Sequence, residues 1–172
     1  GFFAVNLIPS GTADPYALRR QALGIINVIL ARAYPLDLEE LIQAGIDGLG
    51  DRCKRPAETI KNDVLEFFRA RLENQLIAQG HPYDVVDAVL ATGYSRLTET
   101  LKKLEAMEKF RYHDDFQPLA VACKRVANIL KDFRNGTVRT ELFQEGAEKE
   151  LYRVFLEVES QATAYLSDQR YE

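Results

Sequence analysis

Asp115-Phe116-Gln117-Pro118-Leu119-Ala120-Val121-Ala122-Cys123-Lys124-Arg125-Val126-Ala127-Asn128-Ile129-Leu130-Lys131-Asp132-Phe133 is the stretch that decides the fold class. Its apolar residues Phe116, Leu119, Cys123, Val126, Leu130 and Phe133 recur in steps of three and four. That is the period of one face of an α-helix, not the strict alternation of a strand. Asn135-Gly136 follows, a pair that tolerates left-handed backbone angles and closes the helix. Lys124, Asn128 and Lys131 fall at i, i+4 and i+7 and share another face, with Arg125 on its flank and Arg134 at the helix end.

The same period extends in both directions. Downstream, Ala147, Leu151, Phe155, Val158, Ala162 and Tyr165 form the inward stripe of a last helix, with Glu148, Glu150, Glu157 and Glu159 opposite. Upstream, Asp14-Pro15 reads as a cap followed by proline in the first turn, and Leu18, Ala22, Ile25, Ile26 and Ile29 continue to Pro35. Asp37 with Glu40 opens a short helix through Leu41 and Ile42. Pro56 starts a long one on Ile60, Val64, Phe67, Phe68, Leu72 and Leu76, stopped by Gly80. A turn at 81–84 precedes a helix over 85–92, closed by Gly93, and Ser95 caps another on Leu97, Leu101, Leu104, Met107 and Phe110. No segment sustains strand alternation, so the expected class is all-α, a helical bundle. Gly48 to Pro56, with two glycines, a proline and four charges, is the best linker, which sets the expected divisions 1–47, 48–55 and 56–172.

Composition excludes several function classes. With 47% hydrophobic residues in 172, the chain is neither a disordered tail nor a low-complexity linker. The longest apolar run, Ile25 to Ala33, is broken by Asn27 and Arg32 and is too short to cross a bilayer. No basic segment followed by an apolar one opens the sequence, so no signal peptide is read. Cys53 and Cys123 lie far apart, a usage that suits a reducing, cytoplasmic setting and makes neither a disulfide framework nor a metal knuckle. Both ends read as cut, Gly1-Phe2-Phe3 inside an apolar stretch and Ser167-Asp168 as the cap of a further helix, so a piece of a longer polypeptide is expected.

The net charge of −4 is unevenly spread. Residues 1–50 hold 3 basic and 5 acidic side chains, 51–134 hold 15 and 13, and 135–172 hold 4 and 8. A polyanion is therefore to be sought in the middle. The catalytic inventory is thin: two histidines, no glycine-rich phosphate loop and no GxSxG elbow. His113-Asp114 is a His-Asp doublet of the kind at the centre of HD-type metal phosphohydrolases, yet such a shell needs more histidines than His81 supplies, and an aspartate there has work enough as a helix cap. Cys123 suits a small core residue better than a nucleophile. The basic residues carry more. Lysine and arginine bind phosphate and an exposed Asn bonds a base edge, while Phe67-Phe68-Arg69-Ala70-Arg71 interleaves aromatics with arginines as base-stacking surfaces do. The same phenylalanines also suit a core stripe, and the same lysines the wet side of a helix.

Asp14-Pro15-Tyr16-Ala17-Leu18-Arg19-Arg20-Gln21-Ala22-Leu23-Gly24 resembles a motif of the bacterial glycyl-tRNA synthetase beta subunit. Three further blocks agree in order: Val64 to Phe68 with Arg71-Leu72, Tyr83 to Ala91, and Lys124 to Ile129. Cys123, where a larger apolar residue is expected, and the irregular stretch Gly45 to Arg55 depart from it.

The resemblance implies a tRNA-binding partner of a separate alpha subunit, which would hold glycine, ATP and Mg, with no cofactor on this chain. The two subunits would assemble as a heterotetramer of two alpha and two beta that charges tRNA(Gly). Residues 1–47 would be the end of an HD-like helical domain, and 56–172 part of an anticodon-binding domain, C-terminally truncated. The missing closing helices would leave an apolar face uncovered. By this resemblance Lys124, Arg125, Asn128, Lys131, Arg134 and Arg71 become the expected tRNA contacts, with Arg19 and Arg20 second. No catalytic or metal residue is expected, and neither membrane nor DNA. A subunit-interaction scaffold is the competing reading, with the HD-type hydrolase behind it.

Overall fold

The computed structural model describes residues 1–9, 13–131, 133, 136–168 and 171. Every regular element among them is helical: α1 (Leu18–Ala31), α2 (Leu38–Asp47), α3 (Ala57–Ala78), α4 (Tyr83–Ala91), α5 (Leu97–Phe110), α6 (Phe116–Leu130) and α7 (Gly146–Ser167), with short 3-10 turns at Phe3–Val5, Gly50–Arg52 and Thr140–Leu142. The all-α expectation holds. The chain divides into two compact units, Gly1–Met107 and Glu108–Glu172.

In the first unit, helix ends follow local chemistry. Asp14 does cap α1, but from outside a turn. Its Oδ1 accepts the Leu18 N–H at 2.8 Å and its Oδ2 the Arg19 N–H at 3.1 Å, while Ala17 is left-handed at φ 55°. The helix therefore begins at Leu18 and Pro15 belongs to the turn before it. Gly80 at φ +101° and Gly93 at φ +111° follow α3 and α4, in a backbone region that costs other residues about 1–2 kcal/mol.

The core of this unit runs along α3. Ile60, Phe67, Phe68, Leu72 and Leu76 are buried there, against Leu18, Ala22, Ile26 and Ile29 of α1, Leu38 and Ile46 of α2, four residues of α4 and Leu97 and Leu104 of α5. Ile25, expected in the stripe, is 45% exposed because it lies one residue off the buried line through Ala22, Ile26 and Ile29. Residues 48–55 lie inside this unit. Lys54 N–H donates to Ala4 O at 2.9 Å, and Arg55 donates to Phe3 O and pairs with Asp63 at 2.6 Å.

Asp37 is the polar joint between α2 and α5. It accepts from the Glu39 N–H at 2.8 Å, from the Ser95 hydroxyl at 3.0 Å and from Arg96 Nε at 3.4 Å. Ser95 thus spends its hydroxyl on Asp37, two residues ahead of the helix. Burial works to raise the Asp37 carboxyl, but these donors together outweigh it, so its pKa lies below 3.8. A depressed acid stabilises the fold above its unfolded pKa, and the contribution is lost as pH falls through the folded value. Asp37→Ala is expected to cost about 1 kcal/mol, the usual worth of such a cap. The difference between mutant and parent unfolding midpoints should be constant above pH 5 and shrink below pH 4, about where a carboxylate titrates.

The second unit departs from the sequence reading. α6 and α7 are both formed, yet neither has a buried residue. The seam expected to be core is exposed: Leu119 is 51%, Val126 53%, Leu130 44% and Phe133 65% accessible. Cys123 is exposed as well, not a core residue. On α7, Leu151 is 73% and Phe155 52% accessible. Period reports which face of a helix is fit for burial, but burial needs a second layer. Here ring contacts are made by Phe110 on Phe116 at 5.7 Å and by Phe143 on Tyr152 at 5.6 Å, without burying either helix face. α7 opens on a capping box between Glu145 and Glu148, and Asp168 follows its last residue as the C-cap. Two of its expected solvent glutamates, Glu150 and Glu157, hold Arg153 at 2.7 and 3.1 Å.

Candidate nucleic-acid interface

The expected contacts fall in two places, one in each unit. In the second, Lys124, Arg125 and Asn128 are exposed on α6, and Lys131, expected on the same helix, is exposed one residue past its end, where the backbone has left the helix. Spacing puts Lys124, Asn128 and Lys131 on one face. Arg134 and Asn135 lie outside the described residues. Because α6 is exposed all round, exposure by itself does not single out the basic face; its composition does.

In the first unit, α1 and α3 run past one another and enclose an open groove of about 730 Å³ lined by Arg19, Asn27, Arg71, Asn74, Gln75 and Gln79, together with Leu23 and Ala70. Arg71 is held in place. Its guanidinium carbon sits 3.6 Å from the centroid of the Phe67 ring, and its Nη1 donates to the Phe67 carbonyl at 2.9 Å. Burial draws its pKa below the usual arginine value, the Arg19 charge acts in the same direction, and Asp14 opposes both. Arg19 itself donates from Nη1 to Ala13 O at 3.1 Å. Arg20, one residue on, is exposed and is not in the groove.

Sequence reasoning missed the amides. Gln75 Nε2 donates to Asn27 Oδ1 at 2.9 Å across the two helices, and Asn74 Nδ2 bonds Ala70 O at 2.6 Å. The signal was available: Arg19, Leu23 and Asn27 step by four, as do Arg71, Gln75 and Gln79, so each series tracks one helix face.

His113 is exposed, stacks beside Phe110 at 6.0 Å and lies 3.4 Å from Asp115 through Nδ1. Among the described residues no three His, Cys, Asp or Glu side chains are placed to hold one metal ion. Among the described residues no helix is long and apolar enough to cross a membrane.

A sequence model of the family described as glycyl-tRNA synthetase beta subunit matches residues 1–91, more than half of the chain and all of α1 to α4. The chain belongs to the glycyl-tRNA synthetase beta subunit family. Proteins named glycine–tRNA ligase beta subunit resemble it along nearly its whole length. That of Syntrophus aciditrophicus is 54% identical over 99% of this chain and 25% of its own length. That of Citrifermentans bemidjiense is 47% identical over the same shares, and that of Geobacter sulfurreducens 47% identical over 95% and 24%. The chain thus spans about a quarter of the beta subunits it matches. Both the groove in the first unit and the basic face of α6 lie within these matched stretches.

Proposed function

We propose that this chain is a tRNA-binding portion of a glycine–tRNA ligase beta subunit. In this reading it helps recognise tRNA(Gly) for ATP-dependent glycylation in the cytoplasm, beside an alpha subunit in a heterotetramer of two alpha and two beta. Chemistry on glycine and ATP belongs to the alpha subunit, and the described residues here bind. Residues 1–47 are read as the end of an HD-like domain and 56–172 as part of an anticodon-binding domain. The observation that carries the proposal is the exposed set Lys124, Arg125 and Asn128 on α6 with Lys131 at its end, in a chain 54% identical to a named beta subunit. The cations would hold phosphates, and Asn128 would bond a base edge.

A salt titration of binding to tRNA(Gly), with a second tRNA as control, tests it. Affinity should fall linearly in log–log form as counterions are released. Lys124→Ala, Arg125→Ala and Lys131→Ala together should weaken binding by about tenfold or more and flatten the salt slope by about two to three. The circular dichroism should be unchanged, since none of the three is buried. Undiminished affinity in this triple variant would remove α6 from the interface.

A further inference from the structure

The groove between α1 and α3 joins features that its structural duties do not require. Two guanidinium groups from different helices face a common space, and no carboxylate is among the residues that line it. Asp14, the acid whose charge acts on Arg71, is engaged by two backbone N–H groups at the start of α1. Like charges brought together in a partly desolvated place repel one another, so an anion lying between them is favoured. The rest of the wall is made by four amide side chains, with acceptors as well as donors, and by the apolar Leu23 and Ala70. Among the described residues, Gln75 Oε1 is the buried side-chain oxygen left without a hydrogen-bond partner. An oxygen acceptor has nothing to offer a carboxylate or a bare phosphate, but it suits a ligand carrying hydroxyl or amino hydrogens beside its charge. A ribonucleotide strand has that combination: a phosphodiester, a 2′-hydroxyl and base-edge N–H groups.

We propose that the α1–α3 groove is a second RNA-binding site, in which Arg19 and Arg71 hold one phosphodiester of the strand and Asn27, Asn74, Gln75 and Gln79 contact the adjoining ribose or base edges. The site rests on the tRNA-binding reading but is independent of α6. Arg71 approaches the strand already fixed by the Phe67 ring and carbonyl, a geometry that favours a planar, two-pronged contact with phosphate oxygens. Its partner is read as an RNA rather than an acidic protein segment because each nucleotide sets a 2′-hydroxyl and base-edge hydrogens beside its phosphate, matching amides that flank two guanidinium groups.

The test is binding of tRNA(Gly) by the intact chain, carrying either Arg19→Gln with Arg71→Gln or, separately, Asn74→Asp. The first pair removes two charges and leaves shorter polar side chains in their place, and circular dichroism checks that the fold is retained. The second is nearly isosteric at an exposed position and places a negative charge in the groove. Each should weaken RNA binding by about tenfold, and the arginine pair should also flatten the salt slope by about two. RNA should slow amide exchange over residues 19–27 and 70–79. Both variants binding like the parent, while the α6 triple variant binds worse, would overturn this site and leave the proposed function standing. Failure of the parent chain to bind tRNA at low salt would overturn both. Saturable capture of poly-glutamate, lost in the arginine pair and not competed by RNA, would assign the groove to an acidic protein and overturn it too.

Discussion

Phe67→Ala should lower the unfolding free energy of the first unit by about 3–5 kcal/mol, the range for emptying a buried aromatic site. Phe67 is 8% exposed at the middle of α3. It meets Phe3 edge-on at 5.2 Å, so the loss would also release the N-terminal turn. Its ring is the platform under Arg71, which would be left partly buried without a face to rest on. Against a total of about 5–15 kcal/mol for an ordinary domain, that is a large share. The denaturant midpoint reads the effect, and Phe67→Leu, which retains most of the apolar volume, should lose less than half as much. A loss below 1 kcal/mol in the alanine variant would mean that α3 is not the axis of the core.

The opposite outcome is expected in the second unit, where truncation of large apolar side chains should be almost silent. Ile129 is 82% exposed and Leu151 73%, so replacing either by alanine should shift stability by less than about 0.5 kcal/mol. Leu72→Ala and Leu104→Ala, at 2% and 0% exposure, should each cost about 2–5 kcal/mol. Native-state amide exchange gives the same contrast without mutation. Amides of α3 should exchange only through near-global opening, and those of α6 and α7 through local fraying, a difference on the order of a thousandfold. Equal protection in the two units would show that α6 and α7 pack on something in solution that covers their apolar faces.

Much of the fold was legible because helix period and backbone punctuation are local properties. Gly80 and Gly93 stop helices through their own backbone preferences, and the α3 stripe from Ile60 to Leu76 is buried nearly as its spacing predicts, whereas α1 ends at Ala31, ahead of the expected stop at Pro35, with Ala33 in the left-handed region. The start of α1 shifted to Leu18 because Ala17 adopts a left-handed angle, which side-chain propensity does not announce. The division at Met107–Glu108 was not legible, since it falls inside α5, a continuous amphipathic run with neither glycine nor proline. The exposure of α6 and α7 was hidden for another reason: the apolar seam from Phe116 to Phe133 describes a helix prepared for a partner and is the same string whether or not one is present. Of the candidate site, spacing alone placed the charged residues on helix faces, while the meeting of Arg19 with Arg71 in one groove depends on how α1 and α3 pack. The amides Asn27, Asn74, Gln75 and Gln79 gained meaning only when α1 and α3 were brought side by side.

Arg71 has a consequence for the temperature dependence of any recognition in the groove. A free arginine side chain samples many rotamers, worth about 2 kcal/mol of entropy. Here ring below and carbonyl beside have already selected one of them. An incoming anion therefore meets a charge whose freedom was lost on folding, and association should carry a smaller entropic penalty than a loose surface cation would impose. Arg71→Lys preserves the charge but replaces the flat fork with a mobile tip. Calorimetry on that variant would be expected to show the change mainly as a less favourable binding entropy, so the fold of α3 acts as the part of the site that is ordered in advance.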